Sequence, residues 1–180
     1  MDKDHLISRR SFIKTASLIG SGFAIGFNFL KAKRTLNSEF SPNMYINVLS
    51  DDTVVLSVSK AEMGQGIWTS LPMLIAEEME VDWGKVKVQQ ISKDNFIGTG
   101  GSMSISGYGW EKMREAGAVA KQVLVESAAL KWKVSPVECV AKNSVVYHQK
   151  TRRSTSFGSL VDKASKVKIP KSVRLKNPSE

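Results

Sequence analysis

The sequence predicts an α+β fold, with helices packed on a mixed, largely antiparallel sheet, and three observations predict it. Apolar residues alternate at period two over short runs bounded by turn residues. Two other runs carry apolar residues at helical spacing. The runs follow the order strand, strand, helix, strand, helix, strand and helix, with antiparallel hairpins at both ends.

The elements follow in order. "MYINVLSDDTVVLSVSK" alternates at Tyr45, Val48 and neighbours, turns at Ser50, Asp51 and Asp52, and alternates again at Val54, Leu56 and Val58, which is a hairpin pattern. "TSLPMLIAEEMEV" has helical spacing at Leu71, Leu74, Ile75 and Met79. Thr69 or Ser70 is available as its cap, and Pro72 is tolerated only in a first turn. "DWGKVKVQQIS" supplies a third strand, with Val86 and Val88 on one face and Lys85 and Lys87 on the other. "WEKMREAGAVAKQVLVESAALKWKV" is a long helix with a buried stripe of Met113, Ala116, Ala120, Val123 and Ala128.

"SPVECVAKNSVVYHQ" opens with Ser135, Pro136 and Glu138 at capping-box spacing and passes through Lys142-Asn143 into a strand over 145–148. "STSFGSLVDKAS" reads as a short helix, and "KVKIPKSVRLKNPSE" as a basic, proline-punctuated extended tail. The expected organisation is a leader over 1–34, a polar linker over 35–44, which covers most of "RTLNSEFSPN", and one domain over 45–180 that includes the tail.

Composition excludes several function classes. With 42% hydrophobic and 24% charged residues, 180 residues suffice for one modest core and argue against wholesale disorder. The single Cys139 permits no intrachain disulfide, and His5 and His148 alone do not provide zinc-ligand spacing. The net charge of +9 invites a nucleic-acid reading, but seven Lys/Arg against Asp2 and Asp4 place +5 of it in residues 1–34. The basic tail from Lys163 to Lys176 lacks interleaved aromatics, so no nucleic-acid partner is expected.

In the leader, "SRRSFIK" sets Arg9 and Arg10 before the uncharged run "TASLIGSGFAIGFNFL" and then "KAKR". This resembles a twin-arginine export signal, which implies the twin-arginine export machinery as a partner and a folded, cofactor-loaded cargo. The uncharged run has sixteen residues, three of them glycine, and is short for a span of roughly 20 mostly apolar residues. An uncleaved membrane anchor or a surface helix is the alternative reading. No small-x-small cleavage site follows, so a tether to the membrane by an uncleaved signal stays open.

Two glycine-rich loops each open onto a helix: Gly64, Gln65 and Gly66 in "KAEMGQGIWTS", and Thr99, Gly100, Gly101 and Ser102 in "NFIGTGGSMSISGYG". Residues without a β-carbon let a ligand approach the backbone, and N–H groups at a helix start favour negative charge. Gln65 adds two donors and an acceptor for a heterocycle edge or a phosphate. Plain turns explain both stretches equally well on their own. Neither matches the dinucleotide fingerprint or the lysine-bearing phosphate loop, which argues against NAD and ATP.

Order and spacing over "SPNMYINVLSDDTVVLSVSKAEMGQGIWTSLPMLIAEEMEVDWGKVKVQ", then "GTGGSMSISGYGWEKMREAGAVAKQVLVESAALKWKV" and "VECVAKNSVVYH", cover nearly all of the chain beyond the leader. Together they resemble the beginning of the large, molybdopterin-binding subunit of the isoquinoline 1-oxidoreductase type, in the xanthine dehydrogenase and aldehyde oxidase superfamily. The resemblance implies a periplasmic or exported molybdenum hydroxylase. Such an enzyme places oxygen from water on an N-heterocycle or aldehyde and passes electrons to a 2Fe-2S small subunit, with a cytochrome c as a further acceptor. It implies molybdopterin, alone or as a dinucleotide, held without protein side chains on the metal. Gly64, Gln65, Gly66, Thr99, Gly100, Gly101 and Ser102 are the positions matching the loops that approach that cofactor.

The resemblance also carries departures. The later glycine-phenylalanine loop and the Gly-x-Gly-Glu segment with the family's catalytic glutamate have no counterpart in these 180 residues. That implies an incomplete portion of the subunit: a fragment, a truncated gene product or one piece of a split gene, inactive alone and requiring the remainder of the large subunit. No catalytic residue is assigned. Glu62 precedes the first loop and is placed to shape it, whereas Glu77 and Glu78 read as the solvated face of a helix. His148 reads as a surface or half-buried histidine without a partner, Cys139 as a small buried apolar group, and Trp83, Trp110 and Trp132 as core residues. Trp68 is placed to line a cofactor channel. A structural or interaction remnant without cofactor, and an exported anion- or nucleotide-binding module, are the competing readings.

Overall fold

The computed structural model describes residues 39–91 and 101–177, which belong to one compact unit. The first sheet has four strands in sequence order: β1 (Glu39–Asn43), β2 (Ile46–Leu49), β3 (Val54–Val58) and β4 (Val86–Gln90). The first three are antiparallel neighbours, and β4 joins β3 in parallel with Leu56 opposite Val88. A parallel partner requires a crossover, and helix α1 (Ile67–Met79) lies between β3 and β4 in the chain. After α2 (Trp110–Trp132), a three-stranded antiparallel sheet runs β5 (Cys139–Lys142), β6 (Val145–His148) and β7 (Arg153–Ser156), and the short α3 (Val161–Ala164) closes the set.

One core serves both sheets. Period-two residues of the first sheet, Phe40, Ile46, Val48, Val54, Leu56 and Val58, are buried against Leu71, Ile75 and Met79 of α1 and the expected stripe of α2. Val146, Phe157, Leu160 and Val161 extend it beneath the second sheet. The two helices cross so closely at Gly117 that a β-carbon there would lie 2.4 Å from the carbonyl oxygen of Ile75. Only glycine fits that contact.

Several sequence expectations change. Residues 39–43, read as part of the linker, form β1, in which only Phe40 and Pro42 turn inward. Too few apolar residues remained there to show a pattern. Helix α1 begins one turn earlier than expected, with Gly66 at its N-cap, so Thr69 and Ser70 lie inside the first turn and Pro72 lies beyond it. The Ser135–Glu138 capping box does not form. Ser135 makes no side-chain cap, and Glu138 instead faces His148. Between β5 and β6, Asn143 and Ser144 both have positive φ, the two-residue turn suited to a hairpin. Ser144 is fully buried there, its hydroxyl accepting from the Asp82 N–H at 2.9 Å and its N–H donating to the Glu80 carbonyl at 2.8 Å.

Charged and aromatic residues move between surface and core. Glu78, expected in solvent, is 1% exposed, while Glu77 is exposed as expected. Trp83 and Trp110, expected in the core, are exposed; Trp132 packs partly buried against it. His148 is buried and has partners: Nδ1 lies 2.7 Å from the Thr151 hydroxyl and Nε2 3.4 Å from Glu138. Cys139 is buried, as its type suggests. Among the described residues no helix is long and apolar enough to cross a membrane.

Candidate functional site

The first glycine loop is built by the end of β3 running into α1. Gly64 (φ +92°) and Gly66 (φ +75°) occupy the left-handed region that disfavours other residues, and the direction in which a β-carbon would point from either is open space. The backbone therefore offers a bare, accessible surface. Its N–H groups are already used. Glu62 Oε1 accepts from Gly64 N–H at 2.8 Å and Gly66 N–H at 3.1 Å, and Oε2 accepts from Trp68 N–H at 3.0 Å. These bonds, with Trp68 N–H the strongest, hold the Glu62 carboxyl below the usual carboxylate range.

Gln65 is turned inward on its own loop. Its Oε1 accepts from Met63 N–H at 2.6 Å and its Nε2 donates to the Ala61 carbonyl at 2.7 Å. The Trp68 indole N–H donates to the Lys60 carbonyl at 3.0 Å, so this half-buried ring braces the loop's far end. The amide and carboxylate both spend their hydrogen-bonding capacity on the loop's shape. Sequence reasoning placed Glu62 beside the loop but did not find the three bonds. The spacing signal, a carboxylate two, four and six residues before its donors, is visible only in hindsight.

Of the second loop, Thr99 and Gly100 lie outside the described residues, as do Arg9 and Arg10. Gly101 has φ +57° and likewise faces open space where a β-carbon would be. Its carbonyl accepts from Ser104 N–H at 3.1 Å and the Ser104 hydroxyl at 2.8 Å. The Ser102 carbonyl accepts from the N–H groups of Ile105 and Ser106 at 3.0 Å each. A π-helical turn over Ile105–Gly109 follows and leads into α2. Such turns are rare and frequent at functional sites.

The fold brings the bases of the two loops together. A cavity of about 30 Å³ is lined by Lys60, which precedes the first loop, by Ser104 and Ile105, which follow the second, and by Tyr45, Leu71 and Lys112. An open hollow of about 610 Å³ beside it is bordered by Ser102, Ile105, Ser106 and Trp110, which gives the exposed Trp110 a place outside the core. Lys60 is buried in this wall, whereas Lys112 is exposed at its edge. Another hollow, of about 530 Å³, lies on the second sheet and is lined by none of the loop residues. Among the described residues no three His, Cys, Asp or Glu side chains group as metal ligands.

The sequence matches known proteins along nearly its whole length. A family model described as a molybdopterin cofactor-binding domain matches residues 7–177. The chain is 35% identical to the isoquinoline 1-oxidoreductase subunit beta of Brevundimonas diminuta over 92% of its own length and 23% of that protein's. It is 32% identical to the membrane-bound aldehyde dehydrogenase (pyrroloquinoline-quinone) of Gluconacetobacter polyoxogenes, over 87% of this chain and 21% of that one. The chain thus spans between a fifth and a quarter of the length of these relatives. In fold it is similar to quinoline 2-oxidoreductase from Pseudomonas putida 86, with a TM-score of 0.51 and 19% identity over 64% of this chain and 15% of that one. The CO dehydrogenase of Oligotropha carboxidovorans gives 0.52 and 18%, over the same two shares. With the α+β architecture in place, the match over 7–177 settles the family: the chain belongs to the molybdopterin cofactor-binding domain family.

Proposed function

We propose that this chain supplies one wall of the molybdopterin site of a molybdenum hydroxylase large subunit, acting on N-heterocycles or aldehydes. The observation that carries the reading is that Lys60, just before the first glycine loop, and Ser104 and Ile105, just after the second, line one small cavity in a chain of this family. The residues present fit the group. Gly64, Gly66 and Gly101 leave the space a β-carbon would fill open to a ligand, and Lys60 and Lys112 line the small cavity at the bases of the loops. When bound, the molybdenum cofactor supplies the oxygen transfer and the two-electron oxidation. The chain's own residues position it: the glycine faces admit it, and the fixed loop geometry orients it without rearrangement.

No residue described here acts as the general base. Glu62 is committed to three backbone donors, Glu77 pairs with Lys176, and Glu78 is buried against Arg114. The base belongs to the remainder of the large subunit in this reading, and electrons pass to a 2Fe-2S small subunit and onward to a cytochrome c. Arg9 and Arg10 direct export by the twin-arginine machinery, which places the protein in the periplasm, tethered where the signal is retained. An independent anion-binding module is the weaker reading, because the first loop's donors are already filled.

The test is Gly66→Val in the chain expressed with the remainder of the subunit. We expect cofactor retention to be lost and the Tm to fall, from valine's strain at a left-handed φ, while the circular dichroism spectrum and a cooperative unfolding transition are kept. Undiminished molybdopterin in the purified variant would count against a direct role for the loop.

A further inference from the structure

We propose that Glu62 is the resident anion of the first glycine loop and its positioning residue, so that Gly64 and Gly66 serve a ligand by clearance and not by donating hydrogen bonds. A concave set of backbone N–H groups before a helix attracts an anion from solution. Here a carboxylate two residues upstream has reached it first, with both oxygens bonded within 3.1 Å. The carboxylate also performs the helix cap that Gly66, lacking a side chain, cannot provide.

Two consequences follow from charge and tethering. A free phosphate must compete with a group held at high effective concentration by the chain itself, and it must approach a fixed negative charge. The first loop therefore repels the anionic end of a ligand and accepts an uncharged, flat portion against the bare glycine faces. The anionic end is directed away from the Glu62 carboxylate and off the first loop. Gln65 does not alter this balance, because its amide is spent on Met63 and Ala61. The division of labour rests on the cofactor-cradle reading; the occupancy of the nest does not.

The experiment is amide-resolved NMR on the full 180-residue chain. In the unmodified protein, the Gly64, Gly66 and Trp68 amides should titrate together, with a midpoint below the ordinary carboxylate range. Millimolar inorganic phosphate should leave them unmoved. In Glu62→Ala, hydrogen exchange at these three amides should accelerate about fivefold, the scale of a lost helix cap, and added acetate should slow it again. Glu62→Gln, which preserves volume, should abolish the common titration even if the alanine variant folds poorly. Phosphate shifting the three amides in the unmodified chain, or no common titration, would overturn the assignment. Molybdopterin retained equally by Glu62→Gln and the unmodified chain in the assembled subunit would overturn the positioning role. A chain that passes the NMR arms yet never holds cofactor would sink the cradle reading and leave Glu62 as the nest's anion.

Discussion

Glu78 of α1 and Arg114 of α2 form a buried ion pair, with Oε1 2.7 Å from Nε and 2.5 Å from Nη2, and Glu78 Oε2 accepts from the Lys176 N–H at 3.0 Å. Arg114 Nη2 donates in turn to the Lys176 carbonyl at 2.7 Å. The pair thus fastens the C-terminal tail across both helices, and Lys176 Nζ adds contacts to Glu77 and Glu80. Those two carboxylates raise the Lys176 pKa above its ordinary value, against burial, which alone would lower it. Removing Arg114 leaves a 1% exposed carboxylate without its cation. Arg114→Ala should cost about 3 kcal/mol of stability by urea unfolding and should free the tail to proteolysis. A cost near that of an exposed pair would show that the tail is not anchored there.

Gly117 predicts a second loss. The alanine β-carbon would sit 2.4 Å from the Ile75 carbonyl oxygen, a contact neither backbone relieves without separating α1 from α2. Gly117→Ala should therefore destabilise by about 1–3 kcal/mol, despite alanine's better helix propensity. Thermal unfolding of the two forms decides it, and an unchanged or raised Tm would show that the helices do not meet there.

Glu138 should contribute to acid sensitivity. Its carboxyl is held below the usual range by the Lys150 ammonium first and by His148 second. A carboxyl whose folded pKa is depressed contributes stability above its unfolded pKa and loses it as pH falls through the folded value. The Tm difference between the unmodified chain and Glu138→Gln should accordingly be present at neutral pH and close in acid, below the ordinary carboxylate range. A difference that stays constant across that range would contradict the pairing.

Cys139 should be unreactive in the folded state. Burial raises its thiol pKa, and the neighbouring Glu138 carboxylate raises it further. At neutral pH, alkylation by iodoacetamide should be slower than in the unfolded chain by on the order of tenfold or more, because the thiolate is the nucleophile. Equal rates would place the thiol in solvent.

Much of the fold was legible because burial follows period. The α2 stripe from Met113 to Ala128 and the alternation of Val54, Leu56 and Val58 are direct records of which face is inside. What stayed hidden depended on partners distant in sequence. Strand β1 is polar at its exposed positions and is defined by pairing with β2, not by its own pattern. Glu78 looked solvated because its cation, Arg114, stands 36 residues away. In the site, positive φ at Gly64 and Gly66 agrees with the glycine choice, yet the occupant of their donors was invisible. Gly-x-Gly after a glutamate does not say whether the carboxylate bends back.

The cofactor cradle is tested most directly by the molybdenum and pterin content of this chain purified with the remainder of the large subunit. Stoichiometric molybdopterin is expected in the assembly, and its loss when Gly66 is replaced by valine. An assembly that forms with this chain in place and contains no molybdopterin would contradict the assignment of the two loops as a cofactor cradle.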